Sequence, residues 1–493
     1  MLEAKQLANI GFDHVLSKLE PWSPFGEEKK RRLAPYAPSE REALLAEFRN
    51  ISALAEAFSR DPAAFGPLAR ALMQLKDIRR SLKRSRETAL SDIELFEVKR
   101  FLMLAEALEA AYSALPFADK LEGINIFALP EALDILDPDG MRAQTFRLPD
   151  GASPRLAEIR KRRKAVDLAL RALPAAAENG AERDRLSAER TNLAAMEENE
   201  ELRLRGEMTM AFSAHAESAE ELIESIGRLD HAAAKARLML ALGGTVPEIL
   251  PEDGEKRIVF KAMVNPETAA VLGEKGRRFT PVSIELGPGS TVITGANMGG
   301  KSVAVKTLAL NAFLAVCGMP VFCSFAALPL LPEIHLLSED MEDSRGGLSS
   351  FGGEMVRFNG IIASAEKEKG SLVLLDEFAR GTNPHEGSAL VRGAVRYFNE
   401  TGDTYALITT HFDDVACLAK VHYQVMGLRN ADEAVLTAAL SSPEAGSAPQ
   451  EMLARFMDYG LFKAGSEVNP PRDALKICRA LRIREDFMNK VTE

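Results

Sequence analysis

The stretch Thr291-Val-Ile-Thr-Gly295-Ala-Asn297-Met-Gly299-Gly300-Lys301-Ser302 decides the reading of this chain. A β-branched run suited to a strand passes into a glycine-rich loop and then into a helix start, matching GxxxxGK[ST]. In such a loop Gly295, Ala296, Asn297, Met298, Gly299 and Gly300 can turn successive backbone N–H groups toward phosphate oxygens at a helix N-terminus. Lys301 would bridge the β- and γ-phosphates, and the Ser302 hydroxyl would bind Mg²⁺, so ATP and Mg²⁺ are the expected cofactors.

Two downstream strands support that reading. Leu372-Val373-Leu374-Leu375-Asp376-Glu377 is an apolar run suited to a strand buried on both faces, with two carboxylates at its C-terminal edge. Asp376 suits the Mg²⁺ shell through water, and Glu377 suits the general base that deprotonates an attacking water. Tyr405 to Thr410 is a second apolar strand, and it ends in His411, placed to hydrogen-bond a γ-phosphate. Between the phosphate loop and the Asp-Glu strand lies Ser349-Ser350-Phe351-Gly352-Gly353-Glu354-Met355. Taken alone, this hydroxyl and glycine turn before a helix is an ordinary N-cap.

The blocks TGANMGGKS, SSFGGEM, LVLLDEFARGTNPHEG and TTHFDD, in that order, resemble the ATPase domain of the MutS family over roughly residues 260–425. The resemblance implies a homodimer through the ATPase domain, with Ser349 or Ser350 reaching the γ-phosphate of the partner's nucleotide and residues 381–387 lining the interface. It also implies an aromatic residue stacked on adenine, for which Phe279 is the candidate.

Working outward, residues 1–242 are rich in Ala, Leu, Glu and Arg and read as helical. Leu222, Ile226, Leu229, Ala233, Ala236 and Leu240 recur at spacings of four and three, giving one apolar stripe along a long helix. Residues 150–154 form a turn cluster, after which Leu156 to about Met208 reads as an antiparallel arm with Asn179-Gly180 as its tip. Past Gly243 short strands, glycine turns and helices alternate as in an α/β sheet. The expected fold is α plus α/β: a helical lever and clamp region followed by a P-loop ATPase of the ABC and MutS type. The expected divisions are a lever region over 1–150, an arm and return helix over 151–242, the ATPase over 243–440, and a linker with a helical tail over 441–493.

The helical half is similar to the lever and clamp regions of MutS relatives, with Ser153-Pro154-Arg155-Leu156 matching a turn of the recombination-suppressing paralogues. No α/β mismatch-recognition domain precedes it, so reading of mispairs is not expected. Phe25-Gly26-Glu27, which superficially copies a mismatch wedge, is read as a loop. Asn383-Pro384, residues 457–461 and residues 470–475 resemble a divergent branch that includes the ATPase subunit of a reactivating factor for adenosylcobalamin-dependent lysine and ornithine aminomutases. Duplex DNA and an enzyme cargo or second subunit are therefore the two competing partners.

The 493 residues carry 61 Lys and Arg against 72 Asp and Glu, a net charge of −11, which disfavours nucleic-acid binding over the whole surface. Local basic runs remain at residues 160–164 and at Arg79, Arg80, Lys83, Arg84 and Arg86. The four cysteines have no CxxC spacing, which argues against structural zinc or a disulfide framework. Thr307 to Pro332 is apolar but interrupted by Gly318, Pro320 and Pro329, so a helix, turn and strand are expected there in place of a membrane span. Without a signal-peptide pattern, the cytoplasm is the expected compartment.

Overall fold

The computed structural model describes all residues except 117–120, 143–147, 174–179, 296–299, 339–349, 430, 441–455, 465–477, 479–482 and 493. The chain divides into two compact units, one of residues 21–32 and 56–234, the other of residues 1–20, 33–55 and 235–493. Residues 1–20 and 33–55 thus group with the α/β part by contact, while the rest of 1–150 does not.

The first unit is helical. Its opening helix α1 (Pro24–Arg31) is capped by the Ser23 hydroxyl, which accepts from the Gly26 N–H at 3.1 Å. Phe25-Gly26-Glu27 is therefore helical and not the expected loop: a serine cap followed by proline at the first helical position starts a helix here. Phe25 is buried edge-on against Phe101, at 6.3 Å between ring centres. Asp230, fully buried, anchors this start by accepting from the Trp22 N–H at 2.8 Å and from the Ser23 N–H and hydroxyl at 2.6 Å each.

Helix α2 (Asp92–Ser113) is tied to the end of α3 (Pro130–Leu136) by a buried ion pair from Lys99 Nζ to Oδ1 of Asp137, the residue after α3, at 2.6 Å. The arm follows as α4 (Pro154–Ala172) and α5 (Gly180–Ser213). Ile159, Val166 and Leu193 form its buried seam, with Leu170, Leu186 and Met196 packed alongside. The Ser153 hydroxyl caps α4 through the Leu156 N–H at 3.0 Å and donates to Glu200 on α5 at 2.8 Å, which locks the base of the hairpin. The expected tip falls partly outside the described residues at Asn179, and Gly180 is the first residue of α5. In α6 (Ala216–Leu242) the apolar stripe is buried from Leu222 to Ala236, while Leu240 is 44% exposed. Among the described residues no strand occurs before Glu248.

The second unit contains two sheets. The smaller has the order β1 (Glu248–Leu250), β5 (Phe325–Pro329), β2 (Ile258–Met263), β3 (Val282–Leu286). The larger runs β10 (Asp458–Lys463), β9 (Val421–Gly427), β4 (Gly289–Thr294), β8 (Tyr405–Thr410), β7 (Leu372–Leu375), β6 (Ile334–Leu337). All its pairings are parallel except that of β10 on β9. Every residue of β4, β7 and β8 is buried, as central parallel strands covered on both faces require.

Helix α7 (Lys301–Val316) packs against β2, β6 and β8. Helices α8 (Ser350–Lys367) and α9 (Pro384–Thr401) contribute to the core formed with Val292, Val373, Leu375, Ala406 and Ile408. The apolar stretch 307–332 folds as the end of α7, a turn with Gly318 at φ +63°, and β5. No helix among the described residues is long and apolar enough to cross a membrane.

The tail differs from the sequence expectation of helix after residue 440. Helix Glu485–Thr492 is present, but Asp458–Lys463 is a strand. Its signal is weak because Gly460 and a bulge between Asp458 and Leu461 break the alternation, and the pairing that makes it a strand comes from the edge of β9. The expected linker at 441–450 and the proline-rich stretch 470–475 lie outside the described residues.

Candidate nucleotide site

At the C-terminal end of β4 the chain enters Gly295 at φ +144°, and it leaves the loop through Gly300 at φ +86°, a left-handed conformation that favours glycine. A Cβ on Gly300 would stand 2.9 Å from the Tyr459 ring, so glycine is required there by contact as well. Ala296, Asn297, Met298 and Gly299 lie outside the described residues. Lys301 is the first residue of α7 and only 3% exposed; its Nζ donates to the Gly295 carbonyl at 2.8 Å and stands 3.5 Å from Glu377. Burial pushes the Lys301 pKa down, and the neighbouring Glu377 carboxylate opposes that shift.

The Asp-Glu pair lies at the end of β7, across β8 from the phosphate loop. Asp376 is buried, which raises its pKa, while hydrogen bonds from the Thr409 and Ser302 hydroxyls act in the opposite direction. The Thr409 hydroxyl donates to Asp376 at 2.7 Å and accepts from the Glu377 N–H at 2.9 Å, tying the end of β8 to the carboxylate turn. The link between Ser302 and Asp376 brings together two hard oxygen groups that the sequence places 74 positions apart. Among the described residues no cluster of three His, Cys, Asp or Glu could hold a metal alone. Two oxygens instead of a full cage suit Mg²⁺, which keeps waters and takes phosphate oxygens as its other ligands.

The turn after Asp376 is strained. Glu377 and Ala379 have φ of +52° and +59°, unusual for residues with a side chain. The structure restrains both ends of this strain. Thr409 accepts from Glu377 N–H as above, and Glu354 on α8 accepts from the Ala379 N–H at 3.1 Å. Gly387 on α9 allows close approach, since a Cβ there would meet the Ala379 carbonyl at 2.8 Å and Phe412 at 3.0 Å. The Arg380 guanidinium donates to the second oxygen of Glu377 at 2.6 Å.

The remaining sequence candidates fall at several positions. His411 follows β8, exposed, its ring 4.2 Å from that of Phe412. Phe279 lies half-buried in the segment before β3. Ser349 is outside the described residues, and Ser350 is the first residue of α8. Sequence reading missed Thr409, Glu354, Arg380 and Tyr459. The last also stands 3.4 Å from Arg277 through its hydroxyl.

A strand, a glycine turn and a helix with a lysine at its start face a second strand that ends in Asp-Glu, the order in which the sequence carries GxxxxGK[ST] and its downstream carboxylates. The profile of MutS domain V matches residues 291–440, so this part of the chain is similar to the ATPase domain of the MutS family. It is 32% identical over 234 residues to a protein of Thermomicrobium roseum named Endonuclease MutS2, covering 46% of this chain and 29% of that one. A Thermotoga petrophila protein of the same name is 30% identical over 233 residues, with the same coverage. A DNA mismatch repair protein MutS of Shouchella clausii is 29% identical over 219 residues, 44% of this chain and 25% of its own. The chain thus matches less than a third of the length of these relatives.

Proposed function

We propose that the α/β unit binds ATP with Mg²⁺ and hydrolyses it, and that two copies act together. The observation that carries this reading is the convergence of Lys301 and Ser302, from the start of α7, with Asp376 and Glu377, from the end of β7. The N–H groups of residues 295–300 and the Lys301 ammonium would hold the phosphates; Ser302 directly and Asp376 through water would hold Mg²⁺, which supplies charge neutralisation at the transferred phosphoryl group. Glu377 takes a proton from the attacking water, and His411 donates a hydrogen bond toward the terminal phosphate. Phe279 is the proposed adenine partner. The roles of Lys301, Ser302, Asp376 and Glu377 rest on residue chemistry and proximity, and those of His411 and Phe279 on residue chemistry and the resemblance.

In the dimeric reading Ser349 and Ser350 complete the neighbour's site. A double Ala variant at these positions should be inactive alone, as should Lys301→Ala, yet mixing the two should restore part of the activity because one composite site of the mixed dimer is intact. Mixed dimers that form and show no rescue would remove this reading.

For the partner of the helical unit we propose duplex DNA, supported by the names of the MutS relatives. The basic run 160–164 gives this limited support, since Arg160, Arg162 and Arg163 all engage carboxylates of the arm. The exposed Lys161 and Lys164, together with Arg162 in its surface pair with Glu189 at 3.4 Å, are what remains for a phosphate backbone. An enzyme cargo is the competing partner, and it predicts no salt-dependent binding to duplex DNA.

A further inference from the structure

Glu377 is contacted on both oxygens. Oε1 faces the Lys301 ammonium at 3.5 Å, and Oε2 accepts from Arg380 at 2.6 Å. The two cations differ in setting. Lys301 has a side chain 2% exposed and hydrogen-bonds the loop carbonyl of Gly295; Arg380 is 46% exposed. The backbone beneath the carboxylate is held by Thr409 at Glu377 and by Glu354 at Ala379, with both residues in the left-handed region. Motion of the carboxylate between its two cations is thus confined to side-chain rotation.

We propose that Lys301 and Arg380 form a cationic latch on Glu377, and that Arg380 is a positioning residue which sets how readily Glu377 yields Lys301 to an incoming triphosphate. The inference rests on the reading of this site as an ATP site. The ammonium has few donors, and phosphate oxygens compete with Glu377 for them. In a buried site that competition is an exchange of one anion for another around a cation that cannot be left unpaired. Arg380 takes up the carboxylate that Lys301 releases, so the pair Glu377 and Arg380 is what the triphosphate leaves behind. Without Arg380 the carboxylate has Lys301 as its close cation, and nucleotide entry must break that contact uncompensated.

The test is a fluorescence titration with N-methylanthraniloyl-ATP in EDTA, so that affinity is read without turnover, on the full chain and its variants. Glu377→Gln should tighten binding about tenfold by removing the competing anion, and Arg380→Ala should loosen it about three- to tenfold, with Arg380→Lys between Arg380→Ala and the parent. In the Glu377→Gln background Arg380→Ala should change affinity by less than about twofold, because its effect passes through Glu377. Equal loosening by Arg380→Ala in both backgrounds would mean that Arg380 meets the nucleotide itself, which overturns the latch, as would no loosening in either. Failure of the underlying ATP reading looks different: the parent and Lys301→Ala would then bind the probe equally. Thermal midpoints by circular dichroism identify any variant that loses affinity through misfolding, and Arg380→Lys carries the comparison if Arg380→Ala does.

Discussion

Lys301 and Arg160 are both covered cations, the first at the phosphate loop and the second at the base of the arm, and their partners differ in kind. Lys301 stands 3.5 Å from the Glu377 carboxylate and donates to the Gly295 carbonyl. Arg160, its side chain 10% exposed, binds Asp150 at 2.6 Å, Glu201 at 2.8 Å and Glu197 at 2.9 Å, and donates to the Leu148 carbonyl at 2.7 Å. On the proposed reading a phosphate takes the place of Glu377 at Lys301, whereas a phosphate at Arg160 would have to displace three carboxylates and a carbonyl. The two regions thus set a cation beside the Glu377 carboxylate against a cation enclosed by three carboxylates.

The largest expected effect breaks the comparison at the catalytic end. Glu377→Gln should lower ATP hydrolysis by about 10²-fold or more while nucleotide still binds, since on the proposed reading it removes the group that activates water and leaves the residues that hold the phosphates. Hydrolysis at the parent rate, measured by phosphate release, would reassign the base. Next, Lys301→Ala should weaken ATP binding by about ten- to a hundredfold, with the helical unit unaffected in its circular dichroism.

At the arm the same kind of change should act on stability and not on ligands. Arg160→Ala should cost about 1–3 kcal/mol of local stability by stranding Glu197 and Glu201, read as faster amide exchange in α4 and α5, while Lys161→Ala and Lys164→Ala should stay within about 0.5 kcal/mol. If duplex DNA binds, replacing Lys161, Arg162 and Lys164 by Ala should flatten the log-log salt dependence by about 0.9 for each phosphate that is no longer neutralised. A flattening as large from Arg160→Ala alone, with the arm still folded, would reverse the comparison.

The smallest effect is acidic. Hydrogen bonds from Arg203 and Ser153 hold the Glu200 carboxyl down to about 2. Its pKa is depressed on folding, so its contribution is present above the ordinary glutamate value of about 4.3 and fades as pH falls toward 2. The thermal midpoint of the helical unit should therefore drop between pH 5 and pH 2 by more in the parent than in Glu200→Gln, followed by circular dichroism.

Local patterns make β4 and the helix start at Lys301, the β7 and β8 strands and the stripe on α6 legible in the amino-acid sequence alone. Each is written in consecutive or regularly spaced residues. Arg380 and Glu354 are not legible as site residues because their meaning lies in contacts with Glu377 and Ala379, and the second of these spans 25 positions. The basic run at 160–164 is legible as charge, but not as charge already satisfied, since its acids sit on the other arm of the hairpin. Residues 1–20 and 33–55 carry no local mark of belonging with the α/β unit, an assignment made by long-range packing.

The matched domain ends at residue 440, yet the outer strand of the six-stranded sheet is Asp458–Lys463, and it runs antiparallel on β9. A fragment cut at the homology boundary would leave β9 as a bare edge with unpaired N–H and C=O groups, open to pairing with other chains and to aggregation. Recombinant work on the ATPase half should therefore carry the chain past Lys463, because the length that folds cleanly exceeds the length that looks related.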